Sequence, residues 1–324
     1  MVESNKVAKS KLRISIFILY NYTLSFGYLY RIYEVIYMNS NPVTKGISDV
    51  IIAEDENFVL TKKLFSLSET LDCGQAFRWQ EEADGSFIGV AYGKILKLEE
   101  TESCIKFHCS PEDFRDIWYD YFDLSTDYEA IKSRLSALSP VLKEAAEFAP
   151  GIRILKQEPW EAVCSFIISQ NNNIPRIKGI ITRLCENFGN KIDNCESYSF
   201  PSAEKISTLS EDDLAVIRSG FRAKYILAGA NAALEEGFLD SMYTLPIDEA
   251  RKKIKTVKGI GPKVADCALL YGFHRMECFP VDVWMKKAMA KLLPDINHEV
   301  FGYDAGIAQQ YIFHYSRMHP ELFD

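Results

Sequence analysis

The sequence predicts an α+β protein, in which an N-terminal antiparallel β-sheet domain is followed by a larger, all-helical domain. Three observations support this prediction. The chain has 324 residues, a length typical of two domains rather than one. Apolar residues alternate with period two between about Phe58 and Cys109, as in strands with one buried face. After Ser110 the apolar residues recur with a helical period almost to the end of the chain.

The strands are predicted from two alternating segments, SFIGVAYGKILKLEE over residues 86–100 and SCIKFHC over residues 103–109. Asp84-Gly85 and Gly93-Lys94 supply turn residues before and within the first segment. Because short strands joined by tight turns pair with their neighbours, these segments indicate an antiparallel sheet.

The helical part of the chain is predicted to begin at Ser110, which can cap a helix whose first turn contains Pro111 and two acidic residues. We assign residues 38–140 to the sheet domain with its flanking helices and residues 141–324 to the helical domain. The segments with helical period are TDYEAIKSRLSAL, SPVLKEAAEFA, PWEAVCSFIISQ, IPRIKGIITRLCENFG, EDDLAVIRSG, AKYILAGANAALEEG, IDEARKKIKTV, KVADCALLYGF, VWMKKAMAKLL and AGIAQQYIFHYSR.

The composition narrows the class of protein. Apolar residues make up 48% and charged residues 25% of the chain, as in globular rather than disordered proteins. The formal net charge is −8, so any nucleic-acid binding must rest on a local basic patch. The eight cysteines form no C-x-x-C pair, which argues against a zinc ribbon or a four-cysteine iron–sulfur loop and predicts reduced thiols in a cytosolic protein.

Residues 1–37 differ from the rest of the chain. Basic residues precede the apolar and aromatic run ISIFILYNYTLSFGYLY, residues 14–30, which has the outline of a signal peptide or a membrane anchor. The run is short for a membrane span, contains several polar residues, and lacks a small-residue cleavage site after it. We therefore favour the interpretation that Met38 is the true start, that residues 1–37 are a dispensable extension, and that the protein has no membrane anchor.

The most informative segment is KTVKGIGPKVADCALLYGFHRMECFPVDVWMKK, residues 255–287. Gly259 and Gly261 lie between two predicted helices, where glycine permits a tight loop and a close approach of a ligand. The main-chain N–H groups of the following helix start could bind a phosphate. Residues 251–263 contain six basic residues and no acidic one. Taken alone, the same loop could be a helix C-cap and turn beside a solvated lysine face.

Lys263 and Asp282 make catalysis a candidate function of this segment. Lys263 lies in the first turn of the predicted helix after the loop, where the helix dipole, nearby cations and desolvation can all lower the pKa of an amine and activate it as a nucleophile. Asp282 lies at a predicted N-cap, where its carboxylate could accept a proton or stabilise a cationic transition state. Each residue alone could be an ordinary surface lysine or helix cap.

With these residues, the segment near 250–287 resembles the helix-hairpin-helix Gly-Pro-Asp superfamily of DNA glycosylases. GIGPKVADCALL together with FPVDV is similar to its 8-oxoguanine DNA glycosylase/AP lyase branch, in a bacterial form. Further matches cover most of residues 50–315 in the expected order: CGQAFRW at 73–79, GIRILKQEPWEAVCSFIISQNNNIPRIKGIITRLCENFG at 151–189, GFRAKY at 220–225 and AQQYIF at 308–313.

The resemblance implies a helix-hairpin-helix glycosylase domain and a bifunctional enzyme that flips out 8-oxoguanine, excises it preferably opposite cytosine, and nicks the strand by β-elimination through a lysine Schiff base. It implies double-stranded DNA containing oxidised guanine as the partner, and a monomer acting on nucleoid DNA in the cytoplasm without redox cofactor or catalytic metal. A structural monovalent cation at the hairpin is the one ion it allows. Alternatives are a sister glycosylase for another damaged base, which would not need Lys263, and a non-catalytic DNA-binding module, which would need only the hairpin.

The resemblance also implies residue roles in the base pocket. Lys263 would attack C1′ of the damaged nucleoside, and Asp282 would assist loss of the base. The Gly74 carbonyl would accept the N7 hydrogen that 8-oxoguanine has and guanine lacks. The implied pocket consists of Gly74, Cys267, Pro280, Gln309 and Phe313. Without the resemblance, a sheet turn for the glycine, core packing for the thiol and the ring, and a solvated helix face for the glutamine would explain these residues.

A second implied group faces the DNA around the vacated position. Asn171 would fill the gap left by the flipped base, Phe221 would wedge beside it, and Arg176 and Arg222 would read the orphaned cytosine. The implied phosphate-binding residues are Lys258, Gly259, Gly261 and Trp284. Trp284 departs from the animal members, which carry a histidine there, so phosphate contact at this position stays open. For the asparagine run, a helix C-cap with a loop is the alternative.

Overall fold

The computed structural model describes residues 50–192 and 196–323. The extension predicted over residues 1–37 lies outside the described residues. Within the described ranges, no helix has the length and apolar character needed to cross a membrane.

The described chain begins with an antiparallel sheet, which confirms the fold class expected for the N-terminal half. Its strands are β1 (Ile51–Asp55), β2 (Phe58–Lys62), β3 (Trp79–Glu81), β4 (Phe87–Ala91), β5 (Lys94–Glu100) and β6 (Cys104–Phe107). Their order across the sheet is β1-β2-β6-β5-β4-β3. The first strand was not apparent from the alternating pattern.

The turn between β4 and β5 lies one residue earlier than the sequence indicates. Ala91 pairs with Lys94, so the two turn residues are Tyr92 and Gly93, with φ of 51° and 68°. Two residues with positive φ match the twist of the strands they join. The predicted turn at Gly93-Lys94 is wrong by one residue because Lys94 is already paired in β5.

Ser110 starts a helical segment that closes the aromatic core of the sheet domain. Its hydroxyl accepts a first-turn main-chain N–H at 3.1 Å, as predicted for an N-cap. The central part, Phe114–Trp118, is π-helical, which the sequence did not indicate. Phe114 and Trp118 are fully buried there, and the Phe114 ring packs edge-to-face on Phe107 with centroids 5.0 Å apart.

The rest of the chain is helical, as the 3.6-residue period predicts. The α-helices of five residues or more in the described chain are α1 (Leu67–Leu71, between β2 and β3), α2 (Tyr128–Ser136), α3 (Pro140–Phe148), α4 (Pro159–Ser169), α5 (Ile174–Phe188), α6 (Ala203–Ser207), α7 (Ala223–Ala233), α8 (Phe238–Thr244), α9 (Ile247–Ile254), α10 (Pro262–Phe273), α11 (Val283–Leu292) and α12 (Ala305–Met318). The segment EDDLAVIRSG forms only a short 3₁₀ helix, Asp213–Ile217, because Arg218 then takes φ 58° and ends it.

The side chains separate into a sheet core and a helical core. Tyr128, Ile131 and Leu135 of α2 belong to the helical core, although the predicted boundary places them before residue 141. Leu155 belongs to the sheet core. The boundary at 140 stays a prediction, and this packing favours a boundary before α2.

Two helices of the helical core approach closely beside the predicted hairpin. A Cβ atom on Gly272 of α10 would lie 2.8 Å from the Cβ of Ala162 in α4, closer than such atoms pack. The missing side chain therefore lets α4 lie against α10. This contact brings Phe166 of α4 beneath the first turn of α10.

Candidate active site and DNA interface

The loop between α9 and α10 is a tight hairpin that requires glycine at position 259. Gly259 has φ +95°, and a Cβ atom there would lie 2.3 Å from Cγ of Tyr225. Gly261 is the N-cap of α10 and makes no side-chain cap, so first-turn N–H groups are left for another acceptor. A Cβ atom on Gly261 would meet nothing within 4 Å. The loop therefore has an open face at a helix N-terminus, the geometry that anions favour.

Fewer free cations surround this loop than the acid-free run over residues 251–263 indicates. Arg251 is bonded to Asp266 at 2.7 Å and to Asp248 at 3.2 Å. Lys252 pairs with Glu249 at 2.8 Å. Lys255 and Lys258 are exposed, and neither has an ion pair within the part of the chain that the structure describes. Because the neutralising acids flank the run, counting charges inside the run overstated the basic patch.

Lys263 is half-buried in the first turn of α10, and its ammonium group lies over an aromatic ring. Its Nζ lies 5.5 Å from the centroid of the Phe166 ring. Phe166 stacks on Tyr271 with centroids 5.2 Å apart, and the edge of Phe77 packs against it at 5.7 Å. A cation over a ring face is stabilised, and the rings limit the access of water to the amine.

Asp282 is the N-cap of α11. Its Oδ1 accepts the main-chain N–H of Met285 at 2.7 Å, which fixes the carboxylate at the helix start as the sequence predicted for an N-cap. Val283, the next residue, is 75% exposed, so the surface beside the carboxylate is open. Pro280, assigned to the pocket, is buried two residues earlier.

The buried thiol of Cys267 lies one helical turn after Lys263 on α10. Burial raises the pKa of Cys267, the Lys263 ammonium acts to lower it, and the Asp266 and Asp282 carboxylates add to the rise. The charge of Asp282 on α11 therefore acts on the same thiol as the charge of Lys263. An amine in the first turn of α10, an uncharged thiol one turn further along α10 and a carboxylate at the start of α11 form a candidate site for nucleophilic attack on an electrophilic carbon.

Gly74 lies in a loop held by the fully buried side chain of Gln75. Gly74 has φ +86°, a conformation that other residues rarely adopt. Gln75 Nε2 donates to the carbonyl oxygen of Arg153 at 2.7 Å, and Gln75 Oε1 accepts the N–H of Leu155 at 2.9 Å. Gln157 Nε2 donates to the carbonyl oxygen of Gln75 at 2.7 Å. Gln157 also donates its main-chain N–H to the Tyr271 carbonyl at 2.9 Å, so the Gly74 loop is tied to α10.

Gln309 and Phe313 lie one turn apart on α12. Gln309 is 5% exposed, and its Oε1 accepts a hydrogen bond from Gln310 Nε2 at 3.0 Å. Phe313 is half-buried, with the Arg317 guanidinium 5.5 Å from its ring centroid. The half-buried ring can therefore still receive a planar group on its open side.

Arg222 occupies a position that the sequence did not predict. It is 2% exposed, and its guanidinium donates to the main-chain carbonyls of Gln170, Asn171 (3.0 Å) and Ser219 (3.1 Å). Burial, with the Arg176 charge adding, lowers the pKa of Arg222. The side chain therefore holds the turn at Asn171, and most of its donors are already used.

The turn that Arg222 holds presents exposed groups to solvent. Asn171 is exposed with φ 46°. Arg176, in the first turn of α5, is also exposed. Phe221 is 51% exposed and packs edge-to-face on Tyr225 with centroids 6.0 Å apart. Since Tyr225 also packs against Gly259, Phe221 is linked through Tyr225 to the hairpin loop.

Trp284 is half-buried at the start of α11, and its indole N–H is already used. Nε1 donates to Ser316 Oγ at 2.8 Å, and the ring packs on Phe323 with centroids 5.0 Å apart. The N–H that could donate to a phosphate is thus directed at α12. The assigned phosphate contact at Trp284 stays a prediction, which would require this hydrogen bond to break.

Five residues around the site were not predicted from the sequence, because their residue types alone do not indicate a role in a site. All five contact and position other residues or loops of the site: Gln75, Phe166, Tyr225, Tyr271 and Gln310. The two glutamines could have been suspected, since each directly follows a residue assigned to the pocket, Gly74 or Gln309. In residues 50–192 and 196–323, no cluster of three His, Cys, Asp or Glu side chains could hold a metal ion.

Both halves of the described chain match models of known protein families. Residues 57–163 match the family model of the 8-oxoguanine DNA glycosylase N-terminal domain, and residues 164–297 match that of the HhH-GPD superfamily base excision DNA repair proteins. The N-glycosylase/DNA lyase of Saccharomyces cerevisiae is 33% identical over 258 residues, which are 70% of this chain and 68% of the yeast protein.

Two solved structures are similar over almost their whole length. The 8-oxoguanine glycosylase/lyase of Clostridium acetobutylicum, bound to double-stranded DNA with cytosine opposite 8-oxoG, has a TM-score of 0.76 and 35% identity over 84% of this chain and 99% of that chain. MBOgg1, in complex with a low-affinity DNA ligand, has a TM-score of 0.77 and 40% identity over 83% of this chain and 98% of that chain.

Proposed function

Since the chain belongs to the 8-oxoguanine DNA glycosylase/lyase family of the helix-hairpin-helix superfamily, we propose that Lys263 and Asp282 carry out its base excision and strand cleavage. The observations that support this assignment are the position of Lys263 over the Phe166 ring in the first turn of α10 and the Asp282 carboxylate fixed at the N-terminus of α11 beside an exposed Val283. Both charges also act on the pKa of the buried Cys267 thiol, one turn after Lys263. The hairpin loop with its open Gly261 lies next to the same helix start, where it would hold the DNA backbone.

The proposed reaction uses only groups of this chain, DNA and water. The neutral Lys263 amine attacks C1′ as the bond from C1′ to the base nitrogen breaks, and the Asp282 carboxylate stabilises the positive charge that develops on the sugar. The base leaves with its electron pair and takes the proton that the attacking nitrogen gives up. Opening of the sugar gives an imine between C1′ and Nζ. Loss of a 2′ proton then expels the 3′ phosphate, and water hydrolyses the imine to restore the lysine.

We propose that the lesion reaches this amine by flipping out of the duplex. The pocket would combine the Gly74 carbonyl, whose loop is fixed by Gln75, with Cys267, Pro280, Gln309 and Phe313.

Asn171 would fill the vacated position, and Phe221 would wedge beside it. Lys258, Gly259 and Gly261 would bind the phosphates. The reaction needs no redox cofactor or catalytic metal, and we propose a monomer that acts on nucleoid DNA in the cytoplasm.

One assay tests the function directly. Duplexes that contain 8-oxoguanine opposite each normal base are incubated with the protein, with and without borohydride, which reduces an imine to a stable amine. We expect base release, a nick and a trapped protein–DNA complex, each greatest opposite cytosine. A protein that nicks the duplex without forming a trapped complex would refute the lysine mechanism.

Arg176 is proposed as the residue that reads the orphaned cytosine, because it is exposed while Arg222 is committed to main-chain carbonyls. Arg176→Met should bring the single-turnover rates opposite cytosine and opposite adenine together, mostly by loss opposite cytosine. A bidentate arginine contact contributes about 1 to 3 kcal/mol of discrimination, or roughly ten- to a hundred-fold. The matched change Arg222→Met should lower thermal stability as well. Equal slowing of both duplexes by Arg176→Met would show that Arg176 has another role.

Lys258 is predicted to contact phosphate rather than bases. Lys258→Glu should weaken binding to damaged and undamaged duplex alike, by about ten-fold at low salt, and should reduce the slope of log K against log salt by about one. The matched control is Lys252→Glu, the same change at a lysine of α9 that is already paired with Glu249. Equal effects of the two changes would mean that general charge, and not the loop, determines binding.

A further inference from the structure

Tyr225 contacts two parts of the candidate DNA interface, the hairpin loop and the exposed Phe221 ring. It is half-buried in the first turn of α7. A Cβ atom on Gly259 would lie 2.3 Å from Cγ, 2.6 Å from Cδ1 and 2.8 Å from Cβ of Tyr225, so this side chain lies directly against the main chain of the loop. The Phe221 ring meets the Tyr225 ring at an interplanar angle of 77°, with centroids 6.0 Å apart. One side chain therefore connects the loop with Phe221.

The loop against which Tyr225 packs is anchored in the helical core. Val257 and Ile260, on either side of Gly259, are both buried members of that core. The Ile260 N–H donates to the Val257 carbonyl at 3.0 Å, which closes a tight turn. Gly259 itself has φ +95°, a backbone conformation that few other residues adopt. Tyr225 therefore rests on a backbone that is held in place on both sides.

Phe221 depends on its neighbours for its position. Its side chain is 51% exposed. Its ring contacts the Tyr225 ring, and the Arg222 guanidinium lies 4.4 Å from its centroid. An exposed side chain changes rotamer on a fast timescale unless such contacts hold it. Because Arg222 is the next residue in the chain, Tyr225 is the contact that ties the Phe221 ring to the hairpin.

We propose that Tyr225 is a positioning residue that holds the Phe221 ring at a fixed place relative to the hairpin loop, so that phosphate binding at the loop and insertion of the wedge occur together. This inference rests on the proposed function, in which Phe221 wedges beside the vacated position and the hairpin binds phosphates. Tyr225 acts through Phe221 and takes no part in the chemistry at C1′. Its effect is on extrusion of the base, the step that precedes the attack.

The physical reason is that a wedge must not yield to the base stack. Extruding a base requires unstacking, which an inserted side chain promotes only if it stays in place. A ring that is held before it meets the duplex also loses less conformational freedom on insertion. Since Tyr225 joins Phe221 to the backbone of the loop, the position of the duplex on the loop sets where the wedge enters. Loss of the Tyr225 ring should therefore slow extrusion without weakening the binding of undamaged duplex.

The test measures extrusion in a duplex that carries 8-oxoguanine opposite cytosine and 2-aminopurine beside the lesion, because 2-aminopurine fluorescence rises when the stack opens. Tyr225→Leu should slow this rise by about two- to ten-fold, the range that an edge-to-face aromatic pair contributes. Tyr225→Phe keeps the ring and should retain the wild-type rate. The matched control is Tyr243→Leu, the same change at a half-exposed tyrosine of α8 that packs edge-to-face on Phe273. It should leave the rise unchanged.

A double-mutant cycle shows whether Tyr225 acts through Phe221. In a Phe221→Ala background, Tyr225→Leu should change the rate of the rise by less than about two-fold, because no ring is left to position. A purely structural role of Tyr225 predicts the same slowing with and without Phe221. Binding of undamaged duplex and cleavage of a preformed abasic site, which carries no base to extrude, should be unchanged by Tyr225→Leu.

The outcomes separate this inference from the proposed function. A wild-type fluorescence rise in Tyr225→Leu, or equal slowing with and without Phe221, overturns the inference and leaves the function standing. If Tyr225→Leu fails to fold, as a lost thermal unfolding transition would show, then Tyr225→Met decides between the two results, because its flexible side chain still covers Gly259. A wild-type protein that leaves 8-oxoguanine in place overturns the proposed function, and the inference with it.

Discussion

Replacing Lys263 by glutamine is expected to abolish strand cleavage and borohydride trapping, with a loss of at least ~1,000-fold, while the lesion-bearing duplex is still bound. Glutamine keeps much of the length and polarity of lysine but cannot form an imine. Lys263 is half-buried, and its ammonium lies 5.5 Å from the Phe166 ring centroid. Loss of that contact should cost only about 0.5 to 1 kcal/mol of stability, so the variant should fold.

The matched control is Lys255→Gln, the same change at an exposed lysine of the same hairpin to which no role is assigned. It should retain trapping and cleavage at close to the wild-type rate. Thermal unfolding and duplex binding of both variants separate loss of chemistry from loss of fold. A covalent complex trapped with Lys263→Gln would show that another amine is the nucleophile.

The parts of the fold that the sequence predicts are those set by local rules. Strand alternation, helical period and the caps at Ser110 and Asp282 depend on residues within one or two turns of each other, and the structure has both caps as expected. The π-helical stretch Phe114–Trp118 could not be predicted in this way. It depends on how two aromatic side chains reach a core made of distant strands.

The same distinction between local and distant contacts applies to the candidate site. The motif around Lys263 and Gly259 is contiguous in sequence, so the hairpin and its glycines could be predicted. The neutralisation of Arg251 involves Asp266 on the next helix, fifteen residues away, and the ties that hold Arg222 span more than fifty residues. Such contacts form only when the helices pack. Counting charges in the sequence therefore overstated the free charge of the hairpin, and the main-chain contacts of Arg222 could not be predicted.

Asp282→Asn is expected to slow base excision by about 100- to 1,000-fold with little change in stability. Asparagine caps a helix about as well as aspartate, so the bond to the Met285 N–H should persist while the negative charge is lost. On a preformed abasic site there is no base to remove, and cleavage should fall much less. Loss of the charge should therefore appear as a lower ratio of the excision rate to the rate of abasic-site cleavage.

The comparison with Asp282→Ala separates the two roles of this carboxylate, as a negative charge and as a helix cap. Alanine removes both the charge and the cap, so excision should fall as in Asp282→Asn, with an additional loss of about 1 kcal/mol of stability. Single-turnover rates and thermal unfolding of the two variants measure the two contributions. If Asp282→Asn excises 8-oxoguanine at the wild-type rate while Asp282→Ala does not, then the cap alone matters. The carboxylate would then position α11 and would not stabilise the transition state.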